Sequence, residues 1–554
     1  MKATSQAILA AVLAAALAVA AGGAAGADYY VSNAGDDSNP GTASDKPLKT
    51  IAKAASLARA GEKILIAAGT YDERVRPANS GEPGKPITIA RHGPMAKVVW
   101  TSSAPDPKRW DDKFTLNLKA RSHFVVEGLT FKDCEAWVLM WDSNSCTIRD
   151  CTFDGARIYN ALRINNSAYN RILNCRFLRA RPYVTDDKGV VHAKHAADYI
   201  EIFRDSHHNL VERCTFGEIG HVAVSVSAFR QPKLPRFNII RRCAFADPGW
   251  KCIGLGAAEH TLIEDCTFSG KSAVFVQLEA AKTILRRCVF HGWRNSLSDP
   301  QVDYRGVMRV ATTPGDPGDP MNRFLHNRIY HNTFTDNDRT ITSYGAKYPI
   351  DDNVFKNNIF FGNRMTLWLC QPDWATKNRT YFIHNVMVGA KPGEKLLDYG
   401  TGHKKYTLAE AAEKMPDLYK GNIEVDPKFA DPARRDYRLK AGSPCIDAGA
   451  HLTVTTADGK GKQIPVADAL YFCDGWGLID GDLVQISGYK PFRLTKVDYE
   501  KNILHLEKAI PFRKGDGVSL PHADKAPDIG AFEAFEHGQS VQTAEPAVLP
   551  APGS

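Results

Sequence analysis

Beyond its first 27 residues this 554-residue chain lacks any apolar run of about 18 residues, the length needed by a membrane-crossing helix. It also lacks C-x-x-C pairs and Cys/His clusters, which argues against a zinc site. Charge of one sign is scarce: Lys and Arg exceed Asp and Glu by only 8, which suits an anionic ligand but falls short of a nucleic-acid binder's basic stripe. Gly (43) and Pro (31) are near average usage, which excludes collagen-like organisation, and 44% hydrophobic content excludes a disordered chain. The acidic pairs Asp36-Asp37, Asp186-Asp187 and Asp351-Asp352 offer hard oxygen ligands for Ca²⁺ but follow no EF-hand spacing.

The apolar run that is present, Ile8 to Ala21, follows Lys2 and precedes Ala25-Gly26-Ala27. This pattern predicts a signal peptide, a mature chain from Asp28, and a protein secreted or held in the periplasm or at the cell surface, with no membrane span after cleavage. Half of the 12 cysteines fall in one repeated phrase, as in Ile148-Arg149-Asp150-Cys151-Thr152-Phe153 and Ile263-Glu264-Asp265-Cys266-Thr267-Phe268. Its key position runs Leu129, Cys151, Cys175, Cys214, Cys243, Cys266, Cys288, Asn332, Asn358, Asn385, at separations of 22, 24, 39, 29, 23, 22, 44, 26 and 27 residues. Such a period is the mark of a solenoid, with insertions on one edge. Each unit reads as short alternating strands without helical patterning, so the coil is a parallel β-helix, with ten rungs stacked over about 43 Å. Phe131, Phe153, Phe177, Phe216, Phe245, Phe268, Phe290, Phe334 and Phe360 form one interior column and the Cys-to-Asn series its neighbour, as free buried thiols giving way to a hydrogen-bonded amide ladder.

These phrases resemble the right-handed parallel β-helix of the pectate-lyase-like superfamily, whose Asn or Cys ladder lies between the second and third sheets. The front end, with Gly35-Asp36-Asp37-Ser38-Asn39-Pro40-Gly41-Thr42, Pro47-Leu48-Lys49-Thr50-Ile51 and Gly69-Thr70-Tyr71, resembles the cap and first coil of secreted β-helix proteins, including family 9 pectate lyases. So do Ile446-Asp447-Ala448-Gly449 and Asp528-Ile529-Gly530-Ala531-Phe532-Glu533 near the end. The resemblance implies the fold and leaves the reaction open among lyases, hydrolases, epimerases and noncatalytic surface proteins.

The expected class is therefore all-β: a solenoid with an N-terminal capping helix within Pro47 to Ala60 and a small antiparallel β module inserted near the C-terminus. The expected divisions are a leader (1–27), cap and first coils (28–100), parallel β-helix (101–450), antiparallel module (451–525), closing strand (526–537) and disordered tail (538–554). A second short helix is expected from Tyr406 to Met415.

Alternation in the first-sheet strands turns Arg163, Asn165, Glu201, Ser225, Ser227, Gln277, Glu279 and Arg309 outward, a polar row on which a sugar chain could lie along the rod. The insertion before Tyr199 carries Tyr183, Asp186, Asp187, His192, Lys194, His195 and Asp198, and later loops supply His221, Trp250, Lys251, Lys271, Tyr304 and Arg305. Long loops on one edge of a rigid scaffold commonly build sites. Cationic groups beside aromatic ones suit a uronate-bearing sugar, so the expected partner is an anionic polysaccharide or oligosaccharide bound to a monomer.

Two reactions fit. In β-elimination, Lys251, Lys271, His195 or Arg305 is the base, and Arg163, Arg309 or Ca²⁺ neutralises the uronate carboxylate; Ca²⁺ is the only cofactor in view. In hydrolysis, Glu201 pairs with Asp198, Asp303 or Glu279. Asn165, His221, Trp250, Gln277, Glu279 and Tyr304 complete the binding set. The chain departs from both lyase families it resembles: it has no clustered Asp with a following Lys as in family 9, and Phe203 stands where alginate and chondroitin lyases of family 6 carry the lysine base. A noncatalytic carbohydrate-binding or surface β-helix is the remaining alternative.

Overall fold

The computed structural model describes residues 28–103, 108–157, 160–179, 184–185, 191–192, 198–228, 231–246, 249–295, 305–310, 323–343, 350–369, 379–399 and 404–534. The predicted leader and the tail after 537 lie outside them. Three long sheets wind together as a parallel β-helix. The second sheet runs from Tyr29–Val31 to Tyr419–Lys420, the third from Gly69–Asp72 to Val386–Val388, and the first from Phe114–Asn117 to Lys404–Tyr406, with only its last pair antiparallel.

The stacking follows from identical positions meeting on successive rungs. From Phe131 to Phe360 every neighbouring phenylalanine pair is stacked, with centroids 4.5 to 5.0 Å apart, and Trp100 extends the column at 5.3 Å. Such contacts contribute about 0.5–1.5 kcal/mol per pair beyond the burial of area. Beside this column Cys151, Cys175, Cys214, Cys243, Cys266 and Cys288 are buried free thiols. The amides continue the line: Asn332 Nδ2 donates to Asn358 Oδ1 (3.0 Å), Asn358 to Asn385 (3.0 Å) and Asn385 to Asn422 (2.9 Å), one member more than the repeat predicts. The residue before each ladder position, from Asp150 to His384, has φ between 50° and 55°. That left-handed conformation is strained for L-residues, and the ladder hydrogen bonds that follow it offset the cost.

Two further ladders escape the sequence pattern. Asn170, Asn209 and Asn238 are linked side chain to side chain at 3.1 and 3.0 Å between the first and second sheets, where Asn327 and Asn353 continue at 2.8 Å; Asn337 and Asn363 pair at 2.9 Å after the third sheet.

The capping helix is Ile51–Leu57, shorter than the apolar spacing suggests, because the Thr50 hydroxyl accepts the Lys53 N–H and starts it there. The second helix, Leu408–Lys414, has a Thr407/Glu410 capping box. Near the C-terminus six antiparallel strands, from Thr453–Val454 to Gly517–Ser519, form the small sheet. It shares one core with the outer face of the second sheet, where Leu210, Ile239, Leu262 and Ile284 meet Ile464, Phe472, Trp476 and Leu504. Residues 526–534 close the end as irregular chain rather than as strand, pinned by the Ala531 N–H donating to Thr333 Oγ1.

Candidate functional site

The outward positions of the first sheet follow from its register. One row reads Arg163, Glu201, Ser225, Gly254, Gln277, Arg309 and Thr342 on successive rungs; the parallel row reads Asn165, Phe203, Ser227, Gly256 and Glu279. Toward the N-terminal end the outer face is closed by an apolar cluster of Phe114, Ala136 and Leu139 with Trp110 and Trp141. Arg163 lies between the rings of Trp110 (4.9 Å) and Phe203 (4.8 Å). Phe203, at the place of the lysine base in the resembled family, thus serves as one face of an arginine clamp.

Glu201 is buried, and its Oε2 lies 2.9 Å from Arg163 Nε without the alignment of a hydrogen bond. Loss of water pushes its carboxyl up to about 7 against the pull of Arg163, and the neighbouring Asp198 charge pushes the same way. Asp198 is buried and accepts hydrogen bonds from His221 Nδ1 (2.6 Å) and from the Val222 N–H (3.1 Å). It therefore fixes the His221 ring at the corner where the chain enters the sheet.

Lys251 sits one rung on from Val222 and is half-buried. Desolvation and the charge of Arg309 push its ammonium down to about 7, against the opposing pull of Glu279 and Asp198. Asp198 thus acts on both groups whose proton affinities are brought near neutrality. Glu279 is buried with Arg309 Nη2 at 3.8 Å, and Gln277 is buried with its Oε1 lacking a hydrogen-bond partner among the described residues. Asn165 is also buried, its Oδ1 likewise without one.

At the corner, Arg305 is buried with its guanidinium 5.9 Å from the Trp250 ring; only Ala273 stands on the rung between them. Arg305 is thus held as a buried guanidinium against an aromatic ring. Lys271 is not brought onto the first sheet: it is exposed in the strand Thr267–Ser272 of the third sheet, in register with Arg294. His195 and Tyr304 lie outside the described residues, as do Tyr183, Asp186, Asp187, Lys194 and Asp303, and so does the side chain of His192.

The two acidic pairs among the described residues are engaged by protein groups rather than turned toward a shared calcium site. Asp36 is bonded to Ser38, Asp37 to the Lys49 and Thr50 N–H groups, Asp351 to Arg379 and Asp352 to Arg328. Asp186-Asp187 is outside the described residues. Among the described residues no three His, Cys, Asp or Glu side chains converge as a metal site.

Trp110 and the glycines Gly254 and Gly256, which pair with Ser225 and Ser227, were not legible as site members. The Asp198–His221 contact was within reach, since residues 23 apart lie one coil apart in this period.

Residues 115–290 match the family described as right handed beta helix region. Over these residues the chain matches that family, and the three parallel sheets continue the same β-helix on both sides of them. A second family, a protein of unknown function (DUF1565), matches residues 33–89. A curated relative, the uncharacterized protein YwoF of Bacillus subtilis (strain 168), is 33% identical over 104 residues, covering 19% of this chain and 22% of that protein. The match thus spans about a fifth of the relative's length. Among solved structures, XylC in complex with xylose aligns over 89% of this chain and 99% of its own at 11% identity and TM-score 0.46. Pectate lyase Pel9A aligns over 92% and 97% at 15% identity and TM-score 0.39, and an alginate lyase from Paenibacillus sp. str. FPU-7 over 54% and 95% at 12% identity and 0.39. Likeness at this level carries no argument about activity. Among the described residues no helix is long and apolar enough to cross a membrane.

Proposed function

We propose that the protein is an exported enzyme that cleaves a uronate-containing polysaccharide by β-elimination at the outer face of the first sheet. The observation that carries this reading is Lys251, an amine held near 7 beside Arg309, Glu279 and the Asp198–His221 pair. A base with that proton affinity is neutral in useful fraction at physiological pH and strong enough to act. Lys251 Nζ takes the proton α to the uronate carboxyl, the freed electron pair closes the C4–C5 double bond, and the C4–O bond breaks as the leaving oxygen gains a proton. Arg309 neutralises the carboxylate as charge develops on it. The partner is an anionic glycan and the acting species a monomer.

One observation favours hydrolysis as a second reading. Glu201, pushed up to about 7, and Asp198, bonded to His221, are two carboxyl groups in contrasting environments, the pattern of an acid and its partner. A screen of uronate polysaccharides, followed by the ultraviolet absorbance of unsaturated product and by reducing-end release in parallel, separates the two. Elimination gives both signals and loses them in Lys251→Ala; hydrolysis gives reducing ends alone and loses them in Glu201→Gln. Glycan binding without either signal removes the enzyme reading.

A further inference from the structure

We infer that the glycan crosses the first sheet, at right angles to the rod axis, in a trough whose floor is Ser225, Ser227, Gly254 and Gly256. This rests on the reading of the first sheet as a glycan site and replaces the axial path that the polar row suggests.

The register supplies the shape. Ser225 pairs with Gly254 and Ser227 with Gly256, so two adjacent rungs carry only the smallest side chains at both outward positions. The rung on one side bears Glu201 and Phe203, and the rung on the other bears Gln277 and Glu279. These walls are three rung spacings apart, about 14 Å between backbones. The axial path, by contrast, is closed toward the N-terminus by Trp110, Phe114, Leu139 and Trp141 and is interrupted by both walls.

Gly254 gives the independent evidence. A glycine inside a strand weakens it unless a turn, a close packing contact or an approaching ligand requires it. Gly254 is not among the glycines with positive φ. A Cβ built on it would meet only Val222 Cγ1 at 3.6 Å and Lys251 Cδ at 3.8 Å, ordinary van der Waals distances. Nearby Gly306 is different, because a Cβ there would fall 2.7 Å from Thr342 Cγ2. Packing thus explains Gly306 and leaves Gly254 unexplained except as open floor. The same contacts place the Lys251 side chain along the mouth of the trough, where its amine can reach a sugar ring lying on Gly254.

The test uses the full-length protein with oligogalacturonate and oligoalginate as probes, measuring binding by calorimetry and turnover by product absorbance and reducing ends. Gly254→Leu fills the trough and is expected to lower affinity and kcat/KM by about 100-fold or more while leaving the melting temperature in place. Gly254→Ala is expected to stay within about threefold, and Trp141→Ala, on the axial row, to bind and turn over as wild type. Wild-type affinity in Gly254→Leu, or an equal loss in Trp141→Ala, overturns the crossing path. If wild type binds a probe without turnover and Gly254→Leu abolishes that binding, the trough stands and the lyase reading fails. A wild type that binds neither probe overturns both.

Discussion

Glu201 on the first sheet and Glu264 on the second are both buried carboxylates beside arginine, and their proton affinities move in opposite directions. Burial raises each. At Glu264 that effect is outweighed by Arg286, Arg287 and Arg241, with hydrogen bonds of 2.9 and 2.7 Å from Arg286 and 2.7 Å from Arg287, so the carboxyl is held well below the usual range. At Glu201 the pull of a misaligned Arg163 and of Arg204 does not suffice. The difference follows from what covers each face. The antiparallel module packs on the second sheet and supplies Asp482 to the other side of Arg286, at 2.6 and 2.7 Å, so every charge is matched. The first sheet's outer face carries Lys251 and Glu201 near neutrality instead, the arrangement expected where protons are moved. The module braces the solenoid through this shared core and ion-pair network.

The largest expected effect breaks the matched face. Arg286→Met leaves the buried Glu264 and the half-buried Asp482 with reduced partnership and should cost about 3–5 kcal/mol in denaturant unfolding. Arg163→Met on the first sheet should cost far less; equal losses would dissolve the contrast between the faces. Next comes Glu201→Gln. Because the folded-state value of about 7 lies above the ordinary carboxylate value, Glu201 contributes stability that is present below about pH 4.5 and lost as pH rises through about 7. Over that window wild type should lose about 3 kcal/mol that the glutamine variant does not, with the slope of stability against pH as the readout. Matching slopes would place Glu201 with Glu264. A smaller effect is expected for Asp198→Asn, about 100-fold in kcat/KM through the unanchored His221. Removal of the Asp198 charge should also move the Lys251 ionisation to lower pH, since that carboxylate favours the protonated amine. An unmoved pH limb would separate Asp198 from Lys251. Smallest is Asn358→Ala, which unlinks the amide ladder remote from both faces and should cost about 1–3 kcal/mol without altering either pH dependence.

The solenoid was legible because its markers repeat on every coil: Phe177, Cys175 and their equivalents recur in one phrase, and one physical need, stacking on identical neighbours, fixes them. The ladder of Asn170, Asn209 and Asn238 was not, because Cys146, Thr261 and Thr283 interrupt its column and no aromatic residue marks it. Candidate site residues were named as a set, since alternation gives the outward face. Which of them meet depends on register and loop path, so Lys271 was placed beside Lys251 in chemistry although it lies on another sheet. The trough escaped because glycine has no side chain to read as a contact; Gly254 and Gly256 become informative only when set against Ser225 and Ser227 on the adjoining rung.

The central claim is that Lys251 is the base of the first-sheet site. The pH dependence of kcat/KM for unsaturated-product formation on a uronate glycan tests it most directly. A rise to a plateau with an apparent pKa near 7 in wild type, and loss of turnover in a correctly folded Lys251→Ala, is the predicted result. The same limb and comparable turnover in Lys251→Ala would contradict it.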